Sequence, residues 1–515
     1  NVRTEGIDES DLVKTDGDYI YALSINNKNV SIYEANPDNP KKLATLEIPE
    51  GDYVIREMFV DKDRLVVLGG TRDMYSCMCY GVADDIVRDK NDSKEETTAL
   101  IYDISDLSNI KKVDEIKQSG SFLEGRLKDG ILYTFSNYRI RQYFYMLDEN
   151  NFNYSSDELK GYIPEINNEL CPENDLRIQD GSKAENYSVM TAYSLDNDEM
   201  IDKKSVLGGG STVYMSSDSI YLFEEDYSKL KAKVNISKLS YEDGYFEILS
   251  STKIDGMLYY AEDEAFDEYD GYLRMLVTDT DSKYEGYTRL LVLDDNLKTV
   301  GMIDDIAKGE EIKSARYFGN TCFFVTYENT DPLFSVDLSN PAEPKIIGKL
   351  KIPGFSTYLH PFGEGLLLGI GQTDDGTVKL SMFDISDPKD VKELDTKTLE
   401  GCYYSSVFSN PRALYYDEAN KSFGLAVQME KRLASDDDDL IVIDSYNQTA
   451  EFKFFGYDKD FYEKNSVEIV SMEDSYMDDI YQYISNVLEY SRAIYIDDYI
   501  YVVNAGMGVK VLDRE

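Results

Sequence analysis

The sequence predicts an all-β protein: a closed β-propeller of four-stranded antiparallel blades, eight or nine in number. Three observations predict it. One hairpin pattern recurs along all 515 residues. Each third strand tends to end in an Asp-bearing signature. The chain is also longer than the ~250–300 residues at which a single core stops growing, so its core must grow by adding units.

Each unit opens with a short apolar strand, turns through Asp or Gly, and continues in a second strand rich in aliphatic residues and Tyr. Nine such second strands are legible, at 19–23, 65–68, 131–133, 220–222, 273–276, 322–325, 366–368, 423–427 and 500–503. Their turns include Asp16-Gly17, Asp129-Gly130, Asp270-Gly271 and Asp497-Asp498, residue types that tolerate tight hairpin geometry. The third strand closes in copies such as Ile101-Tyr102-Asp103-Ile104-Ser105-Asp106, Val336-Asp337-Leu338-Ser339 and Phe383-Asp384-Ile385-Ser386-Asp387-Pro388. A loop and a fourth strand, such as 346–350, complete the unit. Four strands in about 40–50 residues match a propeller blade, and a blade buries its faces only by stacking on others. Two stacked β-sandwich domains would not keep one hairpin-plus-Asp pattern through the whole chain.

The expectation is therefore one propeller domain over 1–515, with insertions at about 71–98, 136–187 and 457–490. In the third insertion, Ile480, Tyr483, Ile484, Val487 and Leu488 fall at helical spacing, which predicts a short amphipathic helix. The last unit stops after its third strand, and residues 1–5 are expected to supply the missing outer strand and close the ring.

Lys and Arg number 53 against 99 Asp and Glu, a net charge of −46. So acidic a surface repels phosphate backbones, which argues against nucleic acid and anionic membrane as partners. No run approaches the ~20 apolar residues that span a bilayer. The chain opens on Asn1 within a polar segment and reads as a trimmed product, any signal or anchor lying upstream of it. Cys77, Cys79, Cys171, Cys322 and Cys402 have no zinc-site spacing, and His360 is the one histidine. Cys322 and Cys402 fall in or beside apolar strands and are expected as buried thiols. Cys77 or Cys79 could pair with Cys171 in an oxidising compartment, since all three sit in insertions.

The chain resembles a family of secreted bacterial and archaeal proteins with a C-terminal β-propeller distantly related to WD40 repeats. The resemblance rests on the opening run Glu5-Gly6-Ile7-Asp8-Glu9-Ser10-Asp11-Leu12-Val13-Lys14-Thr15-Asp16-Gly17. Centrally it rests on Asp331-Pro332-Leu333-Phe334, Ile352-Pro353-Gly354-Phe355 and Tyr358-Leu359-His360-Pro361. It implies an extracytoplasmic propeller and carries over no catalytic residue.

Function is then sought in the channel, which the innermost strands line. Six residues before the second-strand anchors Leu132, Leu273, Cys322, Leu366 and Phe423 stand Arg126, Asp267, Arg316, His360 and Asp417. Strand side chains alternate, so positions eight upstream share that face; they include Glu57, Glu124, Ser314, Tyr358 and Arg492. These residues are the ligand-binding candidates. The competing reading is that they pair with one another and hold the blades in register. No Gly-x-Ser-x-Gly elbow is present. No cofactor is called for, although oxygen-rich loops suit calcium; Asp279, Asp281 and Glu285, or the run 436–439, would supply ligands. The sequence thus reads as a monomeric, non-enzymatic binding or scaffold propeller at the cell surface, recognising a protein or glycan. The alternative is an extracellular enzyme acting on polysaccharide or peptide through channel carboxylates.

Overall fold

The computed structural model describes residues 4–49, 53–71, 95–140, 159–178, 185–227, 231–258, 264–283, 285–327, 331–352, 354–432, 446–475 and 478–514. Its strands form nine sheets, one for each second strand read from the sequence; they are antiparallel except where Leu176–Ile178 runs parallel to Glu199–Leu207. Blades one to nine occupy residues 13–47, 53–119, 121–207, 212–255, 266–306, 311–352, 355–398, 402–475 and 492–513. Within each blade the strands run outward from the first, and in blades two and three the short insertion strands Glu165–Ile166 and Leu176–Ile178 add to the outer edge.

The Asp signature has a local physical job. Asp103, Asp337 and Asp384 each accept the backbone N–H two residues on, from Ser105, Ser339 and Ser386 at 2.9, 2.9 and 3.0 Å. This Asx turn ends the third strand and starts the loop to the fourth. The side chain between the two, Ile104 or Leu338, is buried in a seam between blades.

The seams are the core. Blade one packs on two through Leu23, Ile32, Leu65 and Leu100, and blade five on six through Leu276, Val292, Phe324 and Val336. Equivalent clusters join every neighbouring pair. The ring closes where Ile20, Ala22 and Tyr33 of blade one meet Tyr501 and Val503 of blade nine. Fully burying side chains of this size contributes about 1.5–3 kcal/mol each, which holds the thin sheets together.

Closure differs from the expectation at residues 4–5, and residues 1–3 lie outside the described residues. Among the described residues the last sheet keeps three strands, and residues 4–5 do not join it. Thr4 instead donates to Met215 O in blade four at 3.3 Å. Asp8–Glu9 forms a short strand on the innermost strand of blade three, with Asp8 opposite Leu127 and Glu9 opposite Arg126. Asp11 then bridges Met58 of blade two. The opening segment crosses the inner walls of blades four, three and two because their innermost strands present unpaired backbone groups there.

The predicted helix forms at Asp478–Glu489. Ile484, Val487 and Leu488 are buried against Phe452 and Ile500, between blades eight and nine, whereas Tyr483 faces outward. Its last turn is satisfied by Asn504 Nδ2 and Ser491 Oγ, which both donate to Val487 O. The insertion read at 457–490 also supplies the rim strand of blade eight, Phe461–Ser475. Cys171, Cys322 and Cys402 are buried free thiols; burial pushes Cys402 up to about 12. Cys77 and Cys79, and with them the suggested pairing, lie outside the described residues. Among the described residues no helix is long and apolar enough to cross a membrane.

Candidate functional site at the channel mouth

Five of the nine innermost strands share a defect. Register slips between Ile55 and Glu57, Phe122 and Glu124, Ile312 and Ser314, Ser356 and Tyr358, and Cys402 and Tyr404. A β-bulge adds one residue and re-aims the side chains around it. Glu57, Glu124 and Tyr358, chosen from spacing alone, are the residues that resume pairing after the bulge. Their common position is thus a backbone feature repeated in five blades.

Blade eight departs further. Its inner edge is split into Cys402–Ser405 and Tyr415–Asp417, both paired to the long strand Ser422–Arg432. Residues 406–414 between them make two short 3-10 turns. Ser405 Oγ accepts from Val407 N at the first, and Asn410 Oδ1 from Arg412 N at the second, where Pro411 presets the first helical position. This loop carries Arg412 to the opening segment. Arg412 donates to Glu57 at 2.7 Å and to Ser10 O, and Ser10 Oγ donates to Glu57.

A cavity of about 410 Å³ opens beside this loop, walled by Arg316, Tyr358, His360, Arg412, Tyr416 and Glu264. Glu9 reaches it from the opening segment and Glu418 from blade eight. Arg316 lies 3.6 Å from Glu264. Tyr358 Oη and His360 Nδ1 are 2.9 Å apart, and the imidazole meets the Tyr416 ring edge-on at 4.5 Å. Tyr416 Oη accepts from Gly363 N at 3.0 Å. Burial, with the Arg316 charge adding to it, lowers His360 to about 3, so the ring is neutral at ordinary pH.

The predicted residues separate into three groups. Arg316, Tyr358 and His360 share the cavity, and Glu57 is linked to it through Arg412. Arg126 and Glu124 pair at 2.6 Å under Glu9, while Arg492 holds Asp11 at 2.9 Å. Burial opposes ionisation of Asp11, but the Arg492 and Arg412 charges outweigh it and hold the carboxyl below its usual range.

Asp267 and Asp417 correct the equal-orientation argument, because both face seams. Asp267 pairs with Arg274, which stacks between Tyr269 and Tyr317 and donates to Gly319 O of blade six. Asp417 is 1% exposed and takes Arg514 at 2.7 and 2.9 Å, tying blade eight to the end of blade nine. Equal spacing sets strand position. The partner on the neighbouring blade then decides where a long side chain points.

The suggested calcium ligands are engaged by cations. Asp279 takes Lys231 at 2.9 Å and Arg289 at 3.1 Å. Asp281 takes Lys308 at 2.7 Å, which lies 3.6 Å from Glu285. The run 436–439 lies outside the described residues. Spacing missed Glu9, Asp11, Glu264, Arg412 and Tyr416. The one available signal was Asn410-Pro411, a turn inside a first strand.

A ring of hairpin blades around a lined channel defines the class: a β-propeller, here of nine blades. The chain belongs to the beta propeller domain family, whose profile matches residues 1–514. It is 28% identical to an uncharacterised protein of Methanocaldococcus jannaschii, over 97% of this chain and 79% of that protein. A second uncharacterised protein, from Archaeoglobus fulgidus, is 34% identical over 56% of this chain and 40% of its own length. Among solved structures the chain is similar to the dihydro-heme d1 dehydrogenase NirN, with TM-score 0.42 and 10% identity, covering 90% of this chain and 75% of that one. It is also similar to the propeller domain of the Trilobed protease from Pyrococcus furiosus, with TM-score 0.32 and 13% identity, covering 75% and 97%. Neither likeness carries information on function.

Proposed function

We propose that this chain is an extracytoplasmic, non-enzymatic binding propeller that recognises a protein or glycan at the cell surface through the channel cavity. The observation that carries the reading is the cavity itself: an opening of about 410 Å³ whose polar walls are set by ion pairs and a capped loop. Recognition gains from groups already held in place, since less order is lost on binding. His360 supports binding over catalysis. A general base works best with a pKa near the operating pH, and this imidazole sits at about 3.

The test is an array of glycans and extracellular peptides, probed with wild type and Arg316→Ala, with and without calcium. Wild type should retain a ligand without turning it over. Arg316→Ala should weaken it about tenfold, the scale of one lost charge-assisted hydrogen bond, with little change in thermal melting. Hydrolysis of a retained polysaccharide or peptide would refute the reading, as would retention of no ligand at all.

A further inference from the structure

We infer that the channel cavity takes a neutral saccharide, one sugar ring or the terminal disaccharide of a glycan. This rests on the binding reading above and names its ligand class. Three features of the cavity point the same way.

The first is charge. The whole chain carries −46, yet the cavity walls interleave Arg316 and Arg412 with Glu9, Glu264 and Glu418. A carboxylate or phosphate entering here meets glutamates, and an ammonium meets arginines. An uncharged ligand pays neither penalty. Each sugar hydroxyl is both donor and acceptor, so neighbouring hydroxyls can bridge a guanidinium that only donates and a carboxylate that only accepts. Arg316 and Glu264, 3.6 Å apart, present such a pair.

The second is the aromatic wall. Tyr358, His360 and Tyr416 form one connected surface, through the 2.9 Å Tyr358–His360 contact and the 4.5 Å His360–Tyr416 ring contact. Pro361 and Pro411 extend it. A sugar ring has an apolar C–H face as well as polar edges, and it needs a wall of this kind opposite its hydrogen-bonding groups. The third is size. At about 410 Å³ the space lies within the roughly 300–1,000 Å³ range of small-ligand sites. Its rim loop is capped by Asn410 and stiffened by Pro411, so the shape is held before binding.

The experiment is ligand-observed NMR and titration calorimetry, because the chain has no Trp to report binding by fluorescence. Neutral hexoses, N-acetylhexosamines and their disaccharides are compared with a hexuronic acid and a free hexosamine. At least one neutral sugar should bind about tenfold tighter than its charged counterparts. Arg316→Ala and, separately, Glu264→Gln should each weaken it by about tenfold. Thermal melting of both variants guards against misfolding, and Glu264→Gln keeps shape while removing charge. Equal or tighter binding of the uronic acid or hexosamine overturns the assignment. If the peptide array yields an Arg316-dependent ligand while no sugar binds, the saccharide assignment fails and the binding reading stands. If neither class binds, both fail.

Discussion

His360 is the only histidine in the chain, so its titration can be followed without interference. The perturbation is His360→Gln, which keeps a polar side chain but removes the titrating group. In the unfolded chain an imidazole titrates near ~6.5; in the fold, burial and then the Arg316 charge bring it to about 3. Between those values the unfolded chain holds one more proton than the folded one, so stability rises with pH across the window. The neutral ring is compatible with the fold at full strength above ~6.5, and that compatibility is lost progressively as pH falls towards 3. At about pH 4.5 the unfolded imidazole is ~2 units below its pKa, which corresponds to about 3 kcal/mol. The ring is 5% exposed, so solvent screening takes little from this figure. Urea unfolding of wild type and His360→Gln at about pH 7.5 and 4.5 gives the measurement. Wild type should lose about 3 kcal/mol more than the variant on acidification. The ring protons, read directly by NMR, should show no titration step near 6.5. A step there, or equal losses in the two proteins, would refute the argument that the cavity wall keeps this imidazole neutral.

Other perturbations address the ties that close the ring. Asp417→Asn should cost about 3 kcal/mol by leaving Arg514 without its carboxylate, as read by chemical denaturation. Burial opposes the charge on Asp417, but Arg514 and Asn420 outweigh it and hold the group at about 2. The stability this contributes is therefore present above ~3.8 and should be lost as pH falls through 2. Asp11→Asn should cost about 3–5 kcal/mol, because Arg492 is 3% exposed and loses its charged partner. Leu488→Ala should cost about 2–5 kcal/mol through the cavity it leaves between blades eight and nine, whereas outward-facing Tyr483→Ala should leave the melting temperature nearly unchanged.

Much of the site was legible in part. Spacing placed Arg316, Tyr358 and His360 on innermost strands, and the structure puts all three on one cavity wall. The same rule, applied to Asp267 and Asp417, placed each on the right strand and failed on direction. Their partners Arg274 and Arg514 sit at the seams, and an ion pair there outweighs the alternation of a short strand. Arg412 escaped because its loop interrupts a blade's inner edge, so it has no equivalent position in the other units.

The sequence by itself determined the order of the blades and narrowed their number to eight or nine; the sheets make it nine. A blade is a run of hairpins, and turn chemistry, strand alternation and the Asp signature all act over a few residues. Those local rules recur along the residue order, and each of the nine second strands read there is a strand in its own sheet. Only the tertiary structure decided what meets in the channel. Arg412 and Glu57 are 355 positions apart, and Arg492 and Asp11 are 481 apart. Such pairs exist only once the ring has closed and brought its early and late segments together. No local pattern encodes that distance. The path of residues 4–11 across the inner walls follows from the same closure, because the backbone groups that receive it belong to blades formed later in the chain.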